Sequence, residues 1–367
     1  QAEPRDTADD LGRLAARSLL LHDTATGRWR LHDLYRELAA EGADEEAMEA
    51  ARERHAEYFL KVLWKIDSLY KTNGRVSDSL ALYDLEWPNI EAAQAWAAAS
   101  MATRNRAAHL VYEYINAGAQ LLDFRLPPQR KIIWMEAALR GCQQTADRKG
   151  EGAALMYLGL AWEGIGNAHA AIEYYDRALA IFVAIGELRG EAATLGNLGN
   201  AWNGLGEHRK AIGLLERRLA IALEIGDKNG EDNALGNLGL AWADLGELHK
   251  AIELHEQDIA IRRQLGDQRR EAEALGNLGI AWKNLGEPRK AIGLYEQQLA
   301  TACEIGDRRS EGNALWNSAE GHEKLDEHEK AIAAARAALA IYRQIEAPAV
   351  TKVESWLRER GIDPDQP

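Results

Sequence analysis

Apolar residues recur at helical spacing through most of the chain. Leu195, Leu198 and Trp202 fall at i, i+3 and i+7, which is one face of a helix. Leu205-Gly206-Glu207 then breaks the pattern, and glycine is the preferred residue where a helix ends in left-handed backbone. Ile212, Leu215, Leu219 and Leu223 form a second stripe. Gly226 closes that stripe, and Asp227 stands where it would cap the next helix. The pattern predicts a helix–turn–helix hairpin.

The hairpin recurs every 40 residues: Trp162, Trp202, Trp242 and Trp282 keep that step, as do Gly159, Gly199, Gly239 and Gly279. Ala171-Ile172 returns at Ala211-Ile212, Ala251-Ile252, Ala291-Ile292 and Ala331-Ile332. Gly226-Asp227, Gly266-Asp267 and Gly306-Asp307 share one phase, with Gly186-Glu187 in the same place. These markers define five repeats: 151–190, 191–230, 231–270, 271–310 and 311–350. One such hairpin cannot bury its own apolar face, so stacked copies must share a core. The fifth copy is atypical, with His322 for Trp, Ala319 for Gly and an Ala-rich second helix. The amphipathic stretch Val350 to Arg360 is expected to cover the last open face, and 104–146 reads as a degenerate hairpin interrupted at Pro127-Pro128.

This pattern resembles the tetratricopeptide repeat. The resemblance rests on a small residue such as Gly279, an aromatic three residues on (Trp282), and Ala291 and Tyr295 in the second helix. The string Leu-Gly-Asn-Leu-Gly at 195–199, 235–239 and 275–279 is most similar to the Leu-Gly-Asn repeat adaptors and kinesin light chain. It implies an all-α superhelical solenoid whose first helices line a concave groove.

Several recurrent residues have no evident packing need. Asn197, Asn237, Asn277 and Asn317 share one first-helix position, although Asn costs about half a kcal/mol against Ala in a helix. Gly196, Gly236 and Gly276 precede three of them, and a mid-helix glycine costs about 1 kcal/mol. A glycine facing a groove would let a ligand backbone approach. An Asn amide offers an acceptor and two donors, suited to an extended peptide. The resemblance implies that the four Asn residues form a ladder along a bound peptide, ending near Tyr157 in the first repeat. Asn200 and Glu320 are expected groove neighbours, as are Asn203, Asn233, Asn284, Asn313, Glu273 and Lys324. The alternative is that the Asn and Gly residues only shape helix packing. The Trp position reads as core.

Residues 1–42 do not follow the repeat. Leu14 to Leu21 reads as a helix running into a strand, Asp23 to Gly27 as a turn, Arg28 to Leu31 as a strand, and His32 to Ala39 as the start of a helix. This segment resembles the tail of the winged helix in NB-ARC NTPases of the STAND signalling class, where the strand ends in Met-His-Asp. Here Leu31-His32-Asp33 takes that place, with Leu for Met. The resemblance implies that His32 touches the phosphates of ADP in a full-length protein. Within these residues alone His32 reads as an ordinary polar helix start. The helical strings Glu45 to Leu69, and the one opening at Glu86-Trp87-Pro88, resemble the connector of bacterial STAND regulators. The predicted domains are therefore 1–42 (winged-helix tail), 43–103 (connector), 104–150 (degenerate hairpin), 151–350 (five repeats) and 351–367 (capping helix and tail).

Charge and chemistry narrow the function. Lys and Arg number 44 against 58 Asp and Glu, a net −14, which disfavours nucleic-acid backbones. No apolar run approaches the roughly 20 residues of a membrane span, so no membrane is expected as partner. Cys142 and Cys303 make neither a disulfide framework nor a metal quartet, consistent with a reducing cytoplasm. No metal site and no catalytic residue is expected. Glu207, Glu247, Glu287 and Glu327 lie three residues before Lys210, Lys250, Lys290 and Lys330, as solvated ion pairs at second-helix starts. No Gly-x-x-x-x-Gly-Lys-Ser/Thr phosphate loop occurs in the 367 residues, so this chain is expected to bind no cofactor, with ADP or ATP belonging to an upstream NTPase module. The expected function is the ligand-sensing and protein–protein interaction region of a STAND NTPase, taking a peptide or protein segment in its groove. The alternatives are a stand-alone adaptor or a small-molecule sensor.

Overall fold

The computed structural model describes residues 20–23, 28–31, 44–72 and 76–365. Two short strands, β1 (Leu20–Asp23) and β2 (Arg28–Leu31), pair antiparallel with Leu20 opposite Leu31 and Asp23 opposite Arg28. The strand–turn–strand reading of this segment thus has its two strands in the structure. His32 and the helices expected on either side lie outside the described residues.

The chain divides into two compact units, residues 1–126 with 140–145, and 127–139 with 146–367. In the first, α1 (Glu45–Tyr70) starts at Asp44, whose carboxylate accepts from the Ala47 amide at 2.6 Å. Helix α2 (Val76–Ser100) begins ten residues before the expected start at Glu86, so Pro88 lies inside it rather than near its first turn. Proline forfeits one backbone hydrogen bond there. Burial of Tyr83 and Ile90 on either side holds the segment helical against that loss. Helix α3 (Asn105–Arg125) packs on both, and the Tyr114 hydroxyl donates to the Ala56 carbonyl at 2.6 Å. Helix α4 (Pro128–Gln144) follows a single extended residue, Leu126, and Pro127.

The second unit is a stack of helical hairpins. Repeat one is α5 (Arg148–Gly164) and α6 (Ala168–Ile185), repeat two α7 (Leu188–Gly204) and α8 (His208–Glu224). Repeat three is α9 (Lys228–Asp244) and α10 (Leu248–Leu265), repeat four α11 (Gln268–Asn284) and α12 (Pro288–Ile305), repeat five α13 (Arg308–Glu323) and α14 (His328–Gln344). Both turn types need left-handed backbone: Gly206 has φ +80° within repeat two, and Gly226 +67° between repeats two and three. In the atypical fifth repeat Asp326 (φ 56°) and Glu346 (φ 50°) take these positions without glycine. Asp147, Asp267 and Asp307 cap first helices with their carboxylates. Asp227 occupies the same position but makes no such bond, contrary to expectation, and its carboxylate lies over Gly230 instead.

The core runs continuously between repeats. Ala171, Ile172 and Tyr175 of repeat one pack with Leu198 and Ala201 of repeat two. Trp202 touches this cluster and also the next, formed by Ala211, Ile212, Leu215, Leu238 and Ala241. The last face is covered by α15 (Ala349–Arg358), whose Val353 and Leu357 are fully buried against Trp316, Leu339 and Tyr342.

Candidate ligand-binding site on the first helices

The first helix of each repeat touches the first helix of the next. Asn197, Asn237, Asn277 and Asn317 are therefore brought to equivalent places on neighbouring helices, and all four are half-buried, as is Tyr157. Asn277 and Asn317 line a single pocket of about 260 Å³ with Glu273, Gly276, Gln298 and Ser310. Ile280 and Asn313 complete its wall. Asn200 is exposed. Glu320 is not an open groove group: Lys283 and Lys352 (3.3 Å) both reach its carboxylate. Burial opposes ionisation of Glu320, but the two ammonium groups outweigh it and hold its carboxyl below the usual range. Of the lesser candidates, Asn203 donates to Asp244 at 2.8 Å, and Asn313 accepts from the Tyr342 hydroxyl at 2.8 Å.

For the glycines the geometry fits the packing alternative rather than groove access. Gly196, Gly236 and Gly276 are buried, and a side chain of the same repeat's second helix fills the space over each. A Cβ on Gly196 would collide with the Arg218 guanidinium. On Gly236 it would lie 3.1 Å from Asp258 and 3.4 Å from Arg262, and on Gly276 2.8 Å from Gln298. The close approach is made by this chain's own side chains. The outer repeats invert the sizes: Met156 packs with Ala178, and Trp316 with Ala338. Small against large, 22 residues apart, is a signal present in the sequence, but it joins two helices and shows in neither alone.

The tryptophans pack as core residues on one face and carry a cation on the other. The Lys210, Lys250 and Lys290 ammonium groups sit 4.2, 4.0 and 4.1 Å from the ring centres of Trp202, Trp242 and Trp282. The same lysines lie 3.4, 3.9 and 3.8 Å from Glu207, Glu247 and Glu287. In repeat five, with His322 in place of Trp, Lys330 closes on Glu327 to 3.0 Å. The ion pairs expected from sequence are thus present, but stretched wherever a ring is available.

Three tetratricopeptide repeat models match the chain, over residues 152–224, 233–265 and 274–309. The hairpins of repeats one to four match tetratricopeptide repeats. No curated protein sequence matches the chain. Among solved structures it is similar to BtubC (BKLC) from P. vanneervenii, at 17% identity and TM-score 0.54 over 60% of this chain and 92% of that one. A Rap protein complexed with competence and sporulation factor aligns at 15% identity and TM-score 0.52, over 84% and 97%. The Signal Transduction ATPase with Numerous Domains (STAND) protein with a tetratricopeptide repeat sensor from Pyrococcus horikoshii aligns at 16% identity and TM-score 0.52, over 98% of this chain and 56% of that one. At these identities the likeness is one of fold.

Within the third tetratricopeptide repeat lies a buried charge cluster that sequence reading did not find. Arg262 donates to Asp258 at 2.5 Å and lies 2.8 Å from Asp232, while Arg270 stands 3.5 Å from Asp232. Burial, and then the hydrogen bond to Asp232, push the Asp258 carboxyl up to about 7 against the pull of Arg262. Neighbouring His255 is driven down to about 4 by burial and by the Arg262 charge. Among the described residues no group of three or more His, Cys, Asp or Glu side chains is placed to hold a metal, and no helix is long and apolar enough to cross a membrane. The Ser310 hydroxyl donates to Asp307 at 2.9 Å, but that carboxylate is a helix cap, also accepting from the Ser310 amide. The pocket's side chains offer hydrogen-bond donors and acceptors.

Proposed function

We propose that the tetratricopeptide repeats take an extended peptide or protein segment along their first helices, as the ligand-sensing region of a STAND signalling protein. The observation that carries this reading is the recurrence of half-buried Asn amides on neighbouring first helices, two of them (Asn277 and Asn317) in one pocket. Each amide can both donate and accept, which matches a peptide main chain. The pocket also favours a segment over a free cofactor, since about 260 Å³ falls below the roughly 300–1,000 Å³ of most small-molecule sites. It suits one side chain of a longer ligand.

The likeness to a STAND protein with a tetratricopeptide repeat sensor supports the wider assignment. So does the β1–β2 hairpin, which ends at Leu31 immediately before His32-Asp33. In this reading ADP or ATP binds an NTPase module upstream in the same polypeptide, and His32 touches its phosphates. Ligand binding shifts that module only by its differential affinity for the two states. A phosphate loop encoded upstream of Gln1 is required; its absence would remove the nucleotide part and leave a peptide adaptor.

The test is affinity capture with the wild-type chain and its N197A/N237A/N277A variant, followed by titration of the purified captured protein. Each Asn→Ala change should weaken binding by about 1 kcal/mol, the net worth of one hydrogen bond, with unchanged circular dichroism. Equal affinity for both chains would sink the ladder.

A further inference from the structure

The repeats supply their own cation at a place where the fourth repeat has none. In repeat two the space over Gly196 is filled by the Arg218 guanidinium. In repeat three the space over Gly236 holds Asp258 and the Arg262 guanidinium, with Arg270 entering from the next first helix to reach Asp232. Forty residues on, the counterparts of Arg262 and Arg270 are Ala302 and Ser310. The counterpart of Asp258 is Gln298, only 3% exposed, whose Oε1 has no hydrogen-bond partner. That residue lines the pocket between repeats four and five. A buried amide oxygen left unpaired has lost its water without a replacement, which a bound donor would supply.

The charge around the pocket points the same way. Glu273 is its single charged lining residue, is exposed, and forms no ion pair among the described residues. The other polar lining groups are amides and one hydroxyl, so no lining cation competes with an incoming one. A carboxylate at the rim and amide oxygens within make an acceptor-rich cup.

We infer that the pocket between the fourth and fifth repeats receives an arginine side chain of the bound peptide, its guanidinium standing beside Gln298 as Arg262 stands beside Asp258 in repeat three. This rests on the peptide-groove reading and specifies its anchor. Arginine fits better than lysine because its planar fork presents several donors at once to Gln298, Asn277 and Glu273, whereas an ammonium is a compact, strongly hydrated point charge.

The test is selection of phage-displayed random dodecapeptides on the wild-type chain, with synthetic hits measured by fluorescence polarisation. Enriched peptides should share an arginine. Its replacement by alanine, or the receptor change E273Q, should weaken binding about tenfold, equivalent to about 1.4 kcal/mol. Q298A should do the same. S310R supplies the counterpart of Arg270 at the pocket wall and should close the pocket, abolishing arginine-dependent binding; it also covers the case in which Q298A fails to fold. A lysine in place of the arginine should bind more weakly than the parent. Peptides that lose affinity for N197A/N237A but contain no shared arginine, and ignore E273Q and S310R, would overturn this inference while leaving the groove reading standing. Peptides indifferent to every variant, or no enriched peptide at all, would overturn both.

Discussion

At Trp202, Trp242 and Trp282 two weak forces compete for one lysine. An exposed ion pair at this spacing is worth about 0.3–0.5 kcal/mol. An ammonium over an indole face is worth about 0.5–1 kcal/mol. The ring wins, which is why the lysine–glutamate distances lengthen to 3.4–3.9 Å there and close to 3.0 Å at Lys330. K250Q should therefore destabilise more than E247Q in urea unfolding; the reverse order would show that the ion pair dominates. W242A should cost about 3–5 kcal/mol, since the ring is part of the shared core. At Gly199 a Cβ would lie 2.7 Å from Leu215, so G199A should cost about 1–3 kcal/mol through overpacking. A neutral result for G199A would mean that the two helices separate freely.

Among the helices, the third hairpin is set apart by its buried charges. Removing Arg262 leaves Asp232 and Asp258 buried and without their principal counter-charge, so R262A should cost about 3–5 kcal/mol. The pH dependence has two opposed parts. His255 titrates near 4 when folded against 6.5 unfolded, so the unfolded chain binds more protons in that window and stability rises with pH. Asp258 titrates near 7 when folded against 3.8 unfolded, so the folded chain holds the extra proton and stability falls as pH rises through that window. The two slopes oppose each other between about 4 and 6.5. D258N removes the falling limb. Its urea midpoint should climb from pH 4.5 to 6.5 more steeply than that of the wild type. Superimposable profiles would mean that Asp258 is ionised throughout.

For the solenoid as a whole, every internal face is shared with a neighbour, so its ends decide its solubility. Helix α15 shields Trp316, Leu339 and Tyr342 through Val353 and Leu357. V353D/L357D should uncover that surface, lower the thermal midpoint and raise light scattering. An unchanged midpoint would show that the fifth repeat is self-sufficient. The proposed ligand contact belongs to the same scale, because the Asn residues align only when first helices from several repeats stand side by side.

The chain's periodicity alone determined the hairpins, their 40-residue step, the shared core and the place of the Trp residues. These follow from local rules, since apolar spacing, glycine stops and Asp caps act within about a turn of helix. The Glu45 helix was legible for the same reason, whereas the start of the Pro88 helix was not, because burial on both sides overrode a local breaker. Tertiary structure alone decided what lies over the mid-helix glycines. Gly196 and Arg218, Gly236 and Asp258, Gly276 and Gln298 are 22 residues apart on different helices, and only the closed hairpin brings them together. The Asn positions were readable as a column, but the pocket was not. Its lining includes Gln298 and Ser310, and repeat three carries arginines, Arg262 and Arg270, where Ala302 and Ser310 stand.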